Sequence, residues 1–238
     1  MISGTFGGYT LRLCRGTNTT DNCCNHNNMK YHFITIEGNI GAGKTTLAHL
    51  LAKKLNARLI LEEFADNPFL SKFYESPDQY AFPLELFFMA ERYKQLKELL
   101  HTTDLFQSIT VSDYLFTKCL LFAKVNLPAE EFRLYQKLFD IIHQQLLHPD
   151  ILIYLHAPVH KLQENIKKRQ RRYEQSIPDE YLLKIQETYL SYIREHNIRT
   201  IVVDAGNADF LGNEEHVNIV LKALEEDHSE GQHYLTLP

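Results

Sequence analysis

The stretch EGNIGAGKTTL, Glu37 to Leu47, decides the fold. Before it, YHFITI is apolar and β-branched, the composition of a buried strand. After it, the apolar residues of TTLAHLLAKKL recur at helical spacing. Strand, glycine loop and helix are the setting in which G-x-x-x-x-G-K-[ST] holds phosphates; without them it would be a glycine turn entering an ordinary helix. Gly41 and Gly43 admit backbone angles that let successive N–H groups face one anion, and the helix N-terminus adds partial positive charge. Lys44 is placed to reach β- and γ-phosphates, and Thr45 to offer its hydroxyl to Mg²⁺. The candidate cradle for ATP or GTP is therefore Gly38, Asn39, Ile40, Gly41, Ala42, Gly43, Lys44, Thr45 and Thr46.

From there the chain alternates. ARLILEEF, SITVSD, DILIYLHA and IRTIVVDAG read as four further strands. Helical patterns separate them, at roughly 45–55, 79–100, 114–125, 129–146, 159–173, 178–195 and 214–226. Such alternation predicts an α/β fold of three layers, a five-stranded parallel sheet between helices. Ligands of these sheets gather at the carboxyl ends of the strands.

The 238 residues, 44% of them hydrophobic, are enough for one domain with a sizeable core. A formal charge of −5 argues against a nucleic acid polymer as partner. No apolar run reaches the length of a membrane span. Three of the four cysteines, Cys14, Cys23 and Cys24, fall in the first thirty residues and Cys119 stands alone, so no disulfide framework emerges and a reducing cytoplasm fits. Residues 1–28 are polar and aperiodic, which predicts a disordered leader ahead of Met29, an alternative start. The adjacent Cys23 and Cys24 with His26 make a weak metal set. The folded domain is expected over 29–228, with 229–238 as a C-terminal tail.

Acids sit at two strand ends. Glu62 and Glu63 close the second strand, where one of them suits a general base for a hydroxyl nucleophile; a solvated acidic turn is the simpler alternative. Asp113 closes the third strand and, with Thr45, is the candidate metal site for Mg²⁺; it would equally suit a helix N-terminus. Further on, KKRQRRYEQSIPDEYL puts five basic residues at one helix end. Ser176 and Asp179 form the S-x-x-D of a capping box. A basic helix end and a sharp restart suit a lid whose arginines clamp phosphoryl oxygens, though such runs are more often solvated faces.

These motifs, in this order, resemble the deoxyribonucleoside kinase family from about Tyr31 to Leu224. GNIGAGKTTL is similar to that family's phosphate loop, and EEF looks like its EPV strand end, which implies Glu62 as the catalytic carboxylate beside Lys44. YESPDQYAFPLELFFMAER is similar to its substrate helix. The resemblance implies Tyr74 as sugar ligand, Glu85 as base reader and Arg92 beside the base. RQRRYEQSIPDEYL resembles the lid, implying Arg169 and Arg171 as phosphate arginines and Glu174 as the acid for the 3′-hydroxyl. DAGNADF resembles the loop that cups the donor's adenine, including Asp209 and Phe210. The resemblance thus implies a P-loop kinase with an Arg-rich lid, ATP and Mg²⁺ as cofactors, and a deoxyribonucleoside acceptor. A homodimer through helices near 79–100 and 114–125 and feedback by a deoxynucleoside triphosphate are implied as well.

Two departures matter. After Asp113 the sequence reads YLF, without the family's arginine, so one contact near the base and 5′-oxygen is missing. Glu85 stands where the family commonly has Gln. An ionised carboxylate only accepts hydrogen bonds, which favours bases presenting donors and hence purines, guanine through two N–H groups or adenine through its amine. A raised pKa on a buried Glu85 would restore a donor, and pairing with Arg92 would reduce Glu85 to a brace. Phe82 is the candidate to stack on the base, although aromatics at helical spacing are more often core. Three rivals remain. A nucleoside-monophosphate kinase would need cations where Glu62, Glu63 and Glu85 lie. A GTPase lacks its N-K-x-D stretch. A non-catalytic nucleotide-binding regulator would not need Lys44, Thr45 and Glu62 together.

Overall fold

The computed structural model describes residues 29–62, 67–101 and 107–238. The leader with Cys14, Cys23, Cys24 and His26, and likewise Glu63, lies outside the described residues. The chain runs β1 (Phe33–Gly38), α1 (Lys44–Leu55), β2 (Arg58–Ile60), α2 (Leu70–Glu75), α3 (Pro77–His101), β3 (Thr110–Ser112) and α4 (Lys118–Asn126). It continues α5 (Ala129–His143), β4 (Ile151–His156), α6 (Val159–Arg169), α7 (Asp179–Glu195), β5 (Thr200–Asp204), α8 (Glu214–Glu225) and β6 (Gln232–Thr236).

Side chains alternate across a strand, and β4 shows what that builds. Ile151, Ile153 and Leu155 join one core with Leu47 and Leu51 of α1 and Val217 and Val220 of α8. Leu152 and Tyr154 face the other way, onto Leu121 of α4 and Ile185 and Tyr189 of α7. Both faces are covered, so β4 reads as one apolar run. A further cluster, with Leu84, Met89, Tyr135 and Phe139, packs α3, α4 and α5 together outside that layer.

The sheet order is β2-β3-β1-β4-β5-β6 and every pairing is parallel. The strands therefore number six where five were expected. The sixth comes from the segment read as a tail: Gln232–Thr236 pairs with Thr200–Asp204. An edge strand has one neighbour and one covered face, so its own pattern is weak; Tyr234 is 76% exposed while Leu237 is buried in the core. The helix expected from 114 begins at Lys118, because Tyr114–Thr117 forms a turn first. That turn is anchored by the Leu115 N–H donating to Glu37 Oε1 at 2.9 Å. The expected capping box does not form. Pro178 is the N-cap of α7 without a side-chain hydrogen bond, and Asp179 Oδ1 instead accepts from Gln163 Nε2 at 2.8 Å.

Candidate active site

Parallel pairing brings the carboxyl ends of β1, β2 and β3 to one edge, and the loops that follow them build the site. Gly43, at φ 92°, opens α1 in the left-handed region. A Cβ at Gly41 would stand 2.8 Å from the Leu162 carbonyl oxygen, so α6 packs directly on the loop. Asn165 of α6 donates to the Gly41 carbonyl at 2.8 Å. Asn39 turns away from the cleft and donates to the Leu182 carbonyl at 2.7 Å, tying the loop to α7. Lys44 Nζ bridges its own loop, donating to the Gly38 and Asn39 carbonyls at 2.9 Å each. Burial, with Lys118 adding repulsion, brings this ammonium down to about 8.

Beside the loop, Thr45 Oγ1 donates to Asp113 Oδ2 at 2.7 Å, and Asp113 Oδ1 accepts from the Glu62 N–H at 2.7 Å. The end of β3 thus fixes both the phosphate loop and the end of β2. Glu62 lies between two cations. One carboxylate oxygen accepts from Arg92 through Nε, at 3.0 Å, and Nη2; the other accepts from Lys118 Nζ at 2.7 Å. Burial alone would raise this carboxyl, but Lys118 and Arg92 together hold it far below the usual carboxylate range. Burial likewise opposes the Lys118 charge, and Glu62 and Glu37 more than offset it. Lys118 was not expected. It stands five residues past Asp113 and supplies a cation next to the acid, where the sequence offered no arginine. Arg92 also donates to Cys119 Sγ at 3.0 Å and lies 4.8 Å over the Phe88 ring, so it pairs with Glu62 and not with Glu85.

A cleft opens over these groups, lined among others by Tyr74, Glu85, Phe88, Phe122, Asn126 and Tyr181. Phe82 does not line it. Six residues before Phe88 on α3, it packs against the cluster of α3, α4 and α5 instead, whereas Phe73, Phe88 and Phe122 are the phenylalanines that line the cleft. Glu85 is 2% exposed and accepts from Asn126 Nδ2 at 2.7 Å. Burial pushes its carboxyl up to about 7, against the Asn126 hydrogen bond and the charges of Arg92 and Lys118. On the lid side, α6 ends at Arg169 and Gln170 reverses the chain at φ 56°. Glu174, buried, accepts from Arg169 Nε at 3.1 Å and from its Nη2, and from Arg171 Nη1 at 3.3 Å. Tyr74 stacks on Tyr173 with ring centroids 5.9 Å apart.

A second, more open cleft lies across the phosphate loop, lined by Gly43, Thr46, Lys168, Asp209 and Phe210 among others. The carboxylate of Asp209 is engaged in its own turn, accepting from Gly212 N at 2.8 Å. Its backbone N–H donates to Nδ1 of the buried His216 at 3.0 Å, whose Nε2 lies 3.2 Å from the Pro238 carbonyl oxygen. The end of the chain therefore braces this loop. The two clefts meet at Lys44, Thr45, Arg169 and Arg171, which line both. Such an arrangement can hold a polyphosphate on one side and an acceptor on the other.

Comparison with known proteins agrees with that geometry. The profile of the family described as deoxynucleoside kinase matches residues 34–228. A deoxyguanosine kinase of Bacillus subtilis is 35% identical over 189 residues, covering 76% of this chain and 90% of that protein. The deoxyadenosine/deoxycytidine kinase of the same organism is 31% identical, covering 72% and 81%. Among solved structures, a deoxyadenosine kinase from M. mycoides with dCMP and dCDP superposes at a TM-score of 0.70 and 26% identity, over 81% of this chain and 98% of that one.

Proposed function

Since the chain belongs to the deoxynucleoside kinase family and is an ATP-dependent deoxynucleoside kinase, we propose that it phosphorylates the 5′-hydroxyl of a purine deoxynucleoside with Glu62 as the acid–base residue. The observation that carries this is the position of Glu62, in the wall of the acceptor cleft at the end of β2, with only β3 between that strand and the one that leads into the phosphate loop. The nucleoside lies with its base toward Glu85 and Phe88, its 3′-hydroxyl toward Tyr74 and Glu174, and its 5′-hydroxyl toward Glu62. The 5′-oxygen attacks the γ-phosphorus in line, the bond to the β,γ-bridging oxygen breaks, and ADP leaves with that electron pair. Held so low by its cations, Glu62 is a poor base for a free hydroxyl. It suits a late transfer, because the hydroxyl acidifies only as its bond to phosphorus forms. Lys44, the loop amides, Arg169 and Arg171 hold the charge spread over the phosphoryl oxygens.

The donor set fits Mg²⁺, since a hydroxyl and a carboxylate side by side are hard oxygen ligands. Thr45 and Asp113 would hold the ion, which would offset phosphate charge. The donor base falls to the loop with Asp209 and Phe210. Exposed Leu134, Leu138 and Ile141, spaced four and three residues apart on α5, support a homodimer through α5 and α3. α4, the other helix expected at that interface, packs against α3, α5 and α7. A cytoplasmic site of action goes with ATP as donor and with a free, buried Cys119.

The test is ATP consumption with each of the four deoxynucleosides and their monophosphates. Purine deoxynucleosides are expected to lead, and Glu62→Gln to cut turnover about a hundredfold or more with binding retained, the scale of losing a general base. Faster turnover of monophosphates would replace this reading with a nucleoside-monophosphate kinase.

A further inference from the structure

Glu85 makes a choice that its chemistry defines sharply. As a carboxylate it only accepts. The guanine edge offers two adjacent donors, N1–H and the 2-amino group, and both can reach such a carboxylate. Adenine and cytosine each offer an amine beside a bare ring nitrogen, which needs a donor in return. A protonated Glu85 would accept and donate at once, and so match adenine or cytosine. Whether the carboxyl carries its proton therefore decides which base fits.

We propose that Asn126 sets the base preference by holding Glu85 as a carboxylate, so that the pocket selects deoxyguanosine over deoxyadenosine and deoxycytidine. The proposal rests on the reading of Glu85 as the residue that faces the base. Asn126 is the last residue of α4, and both side chains line the acceptor cleft. Its amide donates to Glu85 Oε1 at 2.7 Å. Among the described residues no other side chain is hydrogen-bonded to that carboxylate. Tyr181 of α7 lines the same cleft. Tyr135 of α5 donates to the backbone carbonyl of Glu85 at 3.1 Å and leaves the side chain alone.

The other groups facing Glu85 come from each neighbouring element. They are Arg92 on α3, Glu62 past β2, Lys118 and Cys119 on α4, Tyr135 on α5 and Tyr181 on α7. Arg92 and Lys118 favour the charged form, but both are committed to Glu62. Burial favours the neutral form, and the balance lies near neutrality. The Asn126 hydrogen bond is already part of that balance, so removing it would favour the protonated form.

The experiment measures kcat/KM for deoxyguanosine, deoxyadenosine and deoxycytidine between about pH 6 and about pH 8.5, across the expected titration of Glu85. It uses the parent chain, Asn126→Ala, Glu85→Gln and the double variant. The isosteric Asn126→Asp, which removes the donor and adds a like charge, covers the case in which the Ala variant folds poorly. In the parent, preference for deoxyguanosine should rise with pH. In Asn126→Ala it should fall by about tenfold near neutrality, the worth of one hydrogen bond to a charged group, and its rise should move to higher pH. Asn126→Asp should shift it further in the same direction. In Glu85→Gln the preference should be flat with pH, and adding Asn126→Ala should change it no more. Ratios unmoved in Glu85→Gln would overturn the base-reading role and the proposal together. Ratios moved there but unmoved in both Asn126 variants would overturn the proposal alone, as would an Asn126 effect that persists undiminished in the double variant.

Discussion

Replacing Lys118 by Met would test the paired-cation arrangement around Glu62 most directly. The side chain is 9% exposed and its Nζ lies 2.7 Å from Glu62 Oε2. At an effective dielectric constant of ~20, two unit charges that close attract by about 6 kcal/mol. Desolvation of both ions offsets much of that. Breaking a buried pair by removing one partner costs about 3–5 kcal/mol, and the low end applies because Arg92 still holds the other oxygen and the repulsion on Lys44 is relieved. A loss of about 3 kcal/mol in a chain of this size lowers Tm by roughly 6–12 °C. The chemical consequence is separate. Without Lys118 the Glu62 carboxyl climbs, so the acidic limb of the pH–rate profile should move to higher pH, and kcat should fall by about a hundredfold through lost charge stabilisation. Lys118→Arg keeps the charge and should recover most of both. The assay is kcat against pH for the three proteins, with Tm measured alongside. A Met variant that melts lower but keeps kcat and its acidic limb would reduce Lys118 to a structural brace and refute the reasoning.

Lys44→Ala should abolish turnover without unfolding the chain, because Lys44 bonds only carbonyls of its own loop; a variant active within a few-fold in an ATP-coupled assay would sink the phosphate-loop assignment. For Glu85 the sign of the pH effect on stability is set by a folded-state pKa of about 7 against an unfolded value of 4.5. The folded chain then binds the extra proton between those values, so ionisation costs stability as pH rises through them. The Tm of Glu85→Gln should accordingly gain on the parent from pH 4.5 to pH 7 and hold a constant lead above that; a lead that shrinks with pH would contradict the buried carboxyl. Removing residues 231–238, or changing His216→Leu, should raise KM for ATP several-fold and leave KM for the nucleoside alone, since His216 braces the loop with Asp209 and Phe210 from the chain end; equal effects on both substrates in steady-state kinetics would show general loosening instead.

The phosphate loop and the layer order were legible because they rest on short-range patterns: a strand, a glycine turn and a helix within twenty-five residues, then alternation of apolar runs. Longer-range features were not. β6 takes its register from β5, so its own residues carry little signal. Lys118 reaches Glu62 only because the turn at Tyr114–Thr117 aims the start of α4 across the site. Asn126 lies 41 residues from Glu85 in sequence, at a helix end with no motif of its own. Phe82 and Phe88 both fit helical spacing relative to Glu85, and only the packing of α3 separates the one in the core from the one in the cleft. Ser176 matched a cap by spacing, yet Pro178 fixes the backbone at the helix start and the serine is left exposed.

Glu174 clasps Arg169 and Arg171, and this has a consequence for how the two substrates influence one another. The acid proposed to meet the sugar and the cations proposed to meet the phosphates are hydrogen-bonded to each other. Whichever substrate arrives first must loosen that clasp, and the second finds it already open. Binding of ATP and of the nucleoside should therefore be positively coupled, and thermodynamic linkage would make the coupling equal in both directions. Kd for a non-hydrolysable ATP analogue should tighten when the nucleoside is present, and the tightening should vanish in Glu174→Gln.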